Sequence, residues 1–141
     1  CLLNYKSKNK ISIKDEKLSI IFWTEISKNI PDWISAKNRE VATYILRRDF
    51  IHTHGITLQA LATAGNQLIY TDKLWKERLK NLRTIDWSRD NLKDWNGRVI
   101  VHGRINKGSK HVQLLTNFVK QQLKLPLSNE ELKLEREFKK K

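Results

Sequence analysis

Hydrophobic positions recur at helical spacing along most of the chain. Across residues 17–30 the apolar side chains lie three to five positions apart, with charged and polar residues on the other faces. This spacing predicts an amphipathic helix, and Pro31 is expected to end it because the residue before a proline is pushed out of helical geometry. A short turn around Asp32 and Trp33 is predicted to follow.

The next part of the chain contains a long segment without charged residues. A helical pattern covers residues 41–54, and Gly55 either caps that helix or opens the next one. No charged residue occurs between Asp49 and Asp72, where apolar residues repeat at helical spacing with small residues between them. We therefore expect the central helix of the core there, and Asp72 is expected to cap the helix that follows.

Helical periodicity fails across residues 86–110, where turn-forming dipeptides and glycines interrupt the chain. The apolar residues within 98–105 allow a short strand or hairpin. A clean helical stripe returns over residues 109–125, and Ser128 with Glu131 forms a capping-box pattern for a final helix.

The pattern as a whole predicts an all-α domain of about five or six helices with an irregular basic insertion. Residues 1–14 are expected to form a linker or disordered arm, and residues 15–141 the helical domain. The chain begins at Cys1 and contains no methionine. We therefore expect it to be the carboxy-terminal part of a larger protein.

Charge narrows the choice of partner. The chain has 28 Lys and Arg against 15 Asp and Glu, a net charge of +13. Such a field attracts polyanions, which makes nucleic acid and anionic membranes the leading candidates, with plain solubility as the alternative. No apolar run reaches the roughly 18 residues of a membrane span, so we expect no membrane partner.

The single cysteine excludes an internal disulfide, and lysines interrupt the amino-terminal segment where a signal peptide would need an apolar run. Both features favour a reducing, cytoplasmic location. No phosphate-binding loop, nucleophile elbow or Cys-x-x-Cys motif occurs, so we expect neither a cofactor nor a metal.

The basic charge is concentrated between Lys73 and Lys110, where eleven Lys or Arg stand against four acidic residues. Arginine matches phosphate in a bidentate fork, and glycines let backbone N–H groups approach an anion. An acidic protein surface would suit the same charges. The predicted contacts to the DNA backbone are Arg47, Arg48, Arg89, Arg98, Arg104, Lys107 and Lys110.

Three amide side chains are candidates for base contacts. Gln113, Asn117 and Gln121 share one face of the predicted 109–125 helix, and amides suit base edges, although such a face is more often simply solvated. Trp87 and Trp95 could stack on bases, and the commoner alternative is that they clamp the irregular segment onto the helices.

Catalytic candidates are few. Asp49 with His52 is a conceivable acid–base pair, and His54 lies nearby. In a helix the two histidines diverge too far to share a metal ion, and no third ligand is evident. The simpler interpretation is that Asp49 pairs with an arginine while a histidine makes an internal hydrogen bond.

Several segments resemble the carboxy-terminal part of the DndB proteins, which are DNA sulfur modification proteins of the DGQHR-domain family. The segments are Arg47 to Gly55, Ile85 to Arg89, Trp95 to Arg98, and Gly103 to Lys107. The resemblance extends from about Phe22 to Glu131. The DGQHR motif itself does not occur in this sequence.

The resemblance implies a role beside the machinery that replaces a non-bridging phosphate oxygen of DNA with sulfur. DndB-like proteins are regarded as DNA-binding negative regulators of that gene cluster, not as sulfur-transfer catalysts. Double-stranded DNA is the expected partner. One alternative is a module that binds other DNA sulfur modification proteins or its own amino-terminal domain, and a second is a nucleic-acid-modifying enzyme.

Overall fold

A computed structural model describes residues 2–3 and 11–140 of the chain. These residues form helices and one small hairpin, which confirms the mostly helical fold class. The helices are α1 (Ile13–Lys28), α2 (Pro31–Lys37), α3 (Thr43–Asp49), α4 (Gly55–Thr71), α5 (Trp75–Leu79), α6 (Leu92–Trp95), α7 (Ser109–Gln122) and α8 (Asn129–Lys139). A 3-10 helix, Lys80–Thr84, continues α5, and strands β1 (Ile100–Val101) and β2 (Arg104–Ile105) pair antiparallel.

The core is built on the packing of α4 against α7. The uncharged segment after Asp49 is buried along most of its length, so the predicted central helix is confirmed. Its small residues are needed for close approach, because a Cβ added at Gly65 would overlap the ring of Phe22 from α1. The aromatic ring of α1 therefore fills the space that glycine leaves on α4.

The amino-terminal helices differ from the prediction in two ways. Helix α1 begins at Ile13, where Ser12 caps it by accepting a hydrogen bond from the backbone N–H of Asp15. Pro31 is the first residue of α2, so the predicted turn around Asp32 and Trp33 is wrong. Proline is favoured at the first helical position, because its fixed φ suits the helix and its missing N–H is not needed there.

The expected amino-terminal arm is described only in part. Leu2 is buried, and its carbonyl accepts a hydrogen bond from the side chain of Asn66. Residues 4–10, which carry most of the predicted arm, lie outside the described residues.

The irregular segment is fastened to the helices by buried tryptophans. Trp87 and Trp95 stack with ring centroids 5.8 Å apart, and Trp95 also meets Phe118 of α7 edge-on. Both indoles are buried, which confirms the clamping interpretation and contradicts base stacking by these side chains. Trp95 donates its indole N–H to the carbonyl of Asp86 at 3.0 Å.

The hairpin and the final helix follow the prediction. Ile100 pairs with Ile105, which places the hairpin within residues 98–105. The capping box at the start of α8 is present, with reciprocal hydrogen bonds between Ser128 and Glu131. Helix α8 packs on α7. In the described residues, no helix combines the length and apolar character needed to cross a bilayer.

Candidate nucleic-acid interface

Four cationic side chains from three separate segments meet on one side of the molecule. An isolated bridge between Phe50 and Ser88 brings the irregular segment beside the end of α3. Arg89 then donates its backbone N–H to the carbonyl of Asp49 at 2.9 Å and its guanidinium to the carbonyl of Arg48 at 3.2 Å. The bridge therefore places Arg89 next to the two arginines of α3. We call Arg47, Arg48, Arg89 and Lys107 the basic cluster.

His54 lies close to several members of the basic cluster. Its Nε2 hydrogen-bonds the carbonyl of Arg47 at 2.9 Å. Burial lowers the pKa of His54, the hydrogen bond to Arg47 opposes this in part, and the positive charges of Arg47, Arg89 and Lys107 lower the pKa further. Lys107 follows the hairpin in the chain, and its charge lowers the pKa of His54. The segment after the hairpin therefore lies near the end of α3.

One carboxylate offsets part of the cluster's charge. Arg48 binds both oxygens of Asp49, at 2.7 and 2.9 Å, and this hydrogen bonding lowers the pKa of Asp49. Four cations against one carboxylate leave the cluster with a net charge of +3. The expected pairing of Asp49 with an arginine is confirmed.

The hairpin extends the positive surface. Arg104, Lys107 and Lys110 are exposed, and the first two line an open depression formed by the hairpin and the loop after it. No acidic residue occurs in the sequence between Asp94 and Glu130. The positive potential over this surface is therefore not interrupted by a carboxylate from its own segment.

The expectation that Arg98 lies in an exposed loop is wrong. Its guanidinium is buried and forms a bidentate ion pair with Glu135 of α8, at 2.7 and 3.0 Å. It also donates to the carbonyl of Leu114 at 2.7 Å and lies over the ring of Phe138. Arg98 therefore joins the irregular segment to α7 and α8 and is not available to phosphate.

The amide face of α7 is also covered, which contradicts its expected exposure. Asn117 is buried, and Gln113 is half-buried and donates to the side-chain oxygen of Asn117 at 2.7 Å. Lys120, on the same face, pairs with Glu131 of α8 at 2.6 Å. Gln121 is half-buried. An amphipathic α8 whose carboxylates match these polar groups covers the helix proposed for base contacts.

The proposed acid–base pair of Asp49 and His52 does not form. His52 is fully buried, and its Nδ1 accepts the indole N–H of Trp33 at 3.1 Å. Nε2 must then carry the ring proton, which it donates to Asp32 at 2.9 Å. Both ring nitrogens are therefore occupied by structural hydrogen bonds, and the expected internal histidine is confirmed. Within the described ranges, no three His, Cys, Asp or Glu side chains group to hold a metal ion.

Sequence reasoning missed two features of this region. It gave Asp32 no role, because the residue was expected in a turn, 20 positions before the histidine that it contacts. It also predicted the arginines of α3 and Arg89 as members of one set of DNA contacts without a reason for them to be neighbours. No periodic signal could have supplied that reason, because the Phe50–Ser88 bridge that brings them together is an isolated contact between irregular segments.

Comparison with known proteins identifies the family. No curated protein and no solved structure matches the chain significantly. The family model for DndB, described as DNA-sulfur modification-associated, matches residues 1–126, which include the whole basic cluster and the hairpin. The chain therefore belongs to the DndB family of DNA-sulfur modification-associated proteins.

Proposed function

We propose that this chain binds double-stranded DNA through the phosphate backbone and serves as a DNA-contacting, negatively regulating part of a DNA sulfur modification system. Two observations carry the proposal: Arg47, Arg89 and Lys107 lie close enough to His54 to lower its pKa, and Arg89 donates a hydrogen bond to the carbonyl of Arg48. Arginine and lysine contacts to phosphate supply most of the affinity of such interfaces and fix the position of the protein on the duplex.

The surroundings of the cluster support the same function. Arg104 and Lys110 extend it along the hairpin and the start of α7, where both side chains are exposed. Asp49 pairs with Arg48 only, so Arg47, Arg89 and Lys107 have no carboxylate partner in the described part of the chain. Their cationic groups are therefore available to phosphate oxygens.

The test is the salt dependence of duplex binding, measured by fluorescence anisotropy. The wild-type chain is expected to bind a random duplex with an affinity that falls steeply as salt rises, since each neutralised phosphate contributes about 0.9 to the slope of log K against log salt. The double variant Arg47→Gln, Lys107→Gln should bind more weakly, with a slope shallower by about 1.8.

A matched control distinguishes binding at the basic cluster from general attraction of DNA to a positively charged protein. The double variant Lys73→Gln, Lys133→Gln removes the same charge from exposed positions on other parts of the fold. It should keep the wild-type slope. An equal loss in both variants would refute a defined interface. Stronger binding to the gene cluster's own promoter than to random duplex would support the regulatory role.

A second candidate function rests on α1. Ile13 and Ile20 leave 73% and 61% of their surface exposed, and Ile11 and Ile21 lie beside them in sequence with large exposed fractions. Ile13 and Ile20 are seven positions apart in α1 and so lie on one face of the helix, and exposed apolar patches mark protein–protein contact sites. This supports a module that binds other DNA sulfur modification proteins or further parts of its own protein.

The two candidates make different predictions for one variant. Ile13→Gln with Ile20→Gln should leave duplex affinity unchanged if DNA binding resides in the basic cluster. Light scattering of mixtures with the other modification proteins should show loss of assembly if α1 is the contact. Unchanged assembly would remove support for the second candidate.

A further inference from the structure

The hairpin ends in a narrow, unobstructed tip. His102 and Gly103 join β1 to β2 with φ values of 50° and 74°. Positive φ at both central residues identifies the two-residue type I′ connection, the tightest that antiparallel strands adopt. His102, Gly103 and Arg104 are all exposed, and a Cβ added at Gly103 would meet no atom within 4 Å.

The base of the hairpin is fixed in the core. Val99 and Ile100 are buried, and Asn106 donates its backbone N–H to the carbonyl of Val99 at 2.9 Å. Gly97 donates to the carbonyl of Ile100 at 2.8 Å, which closes the preceding turn. The backbone of the tip therefore projects from a base that is anchored in the core.

Arg104 is the side chain of this tip that is best placed to contact DNA. It directly follows the turn on β2, and no carboxylate in the described part of the chain pairs with it. Lys107 shares its depression and also belongs to the basic cluster. A duplex held by the cluster therefore lies within reach of the hairpin.

Helix α7 is the other element that could contact the bases, but its polar face is covered. The major groove is about 12 Å wide and admits an α-helix or a two-stranded β-ribbon, whereas the minor groove is only about 6 Å wide. The polar face of α7 is packed under α8, so this helix cannot supply base contacts. The hairpin narrows to a two-residue turn, and the single exposed arginine beside it, Arg104, has the size and charge of the side chains that enter narrow minor grooves.

We propose that the hairpin tip enters the minor groove of DNA, with Arg104 inserted between the strands and a preference for A·T-rich duplex. The inference rests on the proposed function, because the basic cluster must hold the flanking phosphates. Narrow A·T-rich minor grooves carry enhanced negative potential, which attracts arginine. Arginine suits this role better than lysine because its guanidinium is more weakly hydrated.

Inosine gives a direct test of the groove that is read. Three duplexes of equal length are compared by anisotropy, with central A·T, G·C or inosine·C pairs. Inosine keeps the major-groove face of guanine and removes the N2 amino group from the minor groove. The wild-type chain should bind the A·T and inosine·C duplexes more tightly than the G·C duplex, on the order of tenfold.

Two conservative variants assign the preference to the hairpin. Arg104→Lys should abolish the preference while it keeps the salt dependence, because the charge is retained. Arg136→Lys, on α8 and outside the basic cluster, should keep the preference. Both side chains are exposed, and circular dichroism checks that both variants fold.

The outcomes separate the two proposals. Salt-dependent binding with equal affinity for all three duplexes, or inosine·C behaving as G·C, would overturn the minor-groove inference and leave the proposed function standing. No binding to any duplex would overturn the proposed function and the inference with it.

Discussion

At the scale of single residues, Gly65 shows how one position is fixed by a neighbour from another helix. Glycine in a helix interior costs about 1 kcal/mol relative to alanine, so propensity alone favours replacement. The ring of Phe22, fully buried, occupies the space that a Cβ would need. Overpacking of a fixed core opposes the gain in propensity.

We predict that Gly65→Ala destabilises the protein by ~1–3 kcal/mol, the range of overpacked cores. Gly55→Ala is the control, because a Cβ there meets nothing within 4 Å. That variant should be neutral or slightly stabilising. The free energy of unfolding in urea measures both. A stabilised Gly65→Ala protein would show that Phe22 can move away at little cost.

His52 links the stability of the fold to pH. Burial lowers its pKa below the ordinary value of 6.5, and the hydrogen bond to Asp32 offsets this only in part. The unfolded chain therefore takes up a proton at His52 before the folded chain does. Its stabilising contribution is present above about pH 6.5 and is lost as the pH falls toward the lower pKa of the folded state.

We therefore predict that the free energy of unfolding decreases between pH 7.5 and pH 5.5, and decreases less in His52→Gln. His54 contributes in the same direction, since its pKa is also lowered, so some pH dependence should remain. An unchanged pH dependence in His52→Gln would show that His52 does not titrate differently on folding.

The exposure and partners of individual side chains were the hardest properties to predict from the sequence. Arg98 follows Asn96-Gly97 in a glycine-bearing basic segment, a composition typical of an exposed loop. Its partner Glu135 lies 37 positions away on a helix whose placement no local pattern gives. Arg47, Arg104 and Lys110 have the expected exposure, because they lie on segments without an acidic partner helix.

At the scale of elements, α8 is held by ion pairs as well as by apolar contacts. The Arg98–Glu135 pair exposes only 6% and 4% of its side chains, and Lys120 with Glu131 forms a second pair nearby. Removing one member of a buried pair leaves an uncompensated charge, which costs far more than the pair contributes as a whole.

We predict that Glu135→Leu destabilises the protein by ~3–5 kcal/mol, and that adding Arg98→Met restores most of the loss. Glu137→Leu, exposed two residues further along α8, should change stability by less than about 0.5 kcal/mol. Thermal and urea unfolding measure all three. Failure of the double variant to recover would mean that the hydrogen bond from Arg98 to Leu114 matters more than the ion pair.

The long elements were predictable because their signals are local. The apolar stripe of α7, the uncharged α4 and the Ser128–Glu131 capping box each lie within a few turns of chain. Helix α2 was missed because Pro31 was interpreted as a terminator, whereas proline also starts helices. Both meanings are compatible with the same sequence, and only the packing of α2 on α1 selects one.

At the scale of the whole molecule, the net charge favours a polyanionic partner but does not indicate which part of the surface would bind it. A net charge of +13 follows from counting. The basic cluster requires Arg48 and Arg89 to meet across 41 positions, which depends on the Phe50–Ser88 bridge. Long-range contacts between irregular segments leave no periodic trace in a sequence, so the site could be predicted only as a list of residues.

Helix α8 lies beyond the end of the family match but packs against the matched part of the chain. The family match stops at residue 126, three residues before α8 begins. Yet Arg98, inside the matched part, finds its countercharge on α8, which also covers Asn117 and Lys120. The segment matched by the family model is thus shorter than the packed unit, which includes α8. A chain cut at residue 126 would keep the family's sequence and lose the carboxylates that its own interior requires.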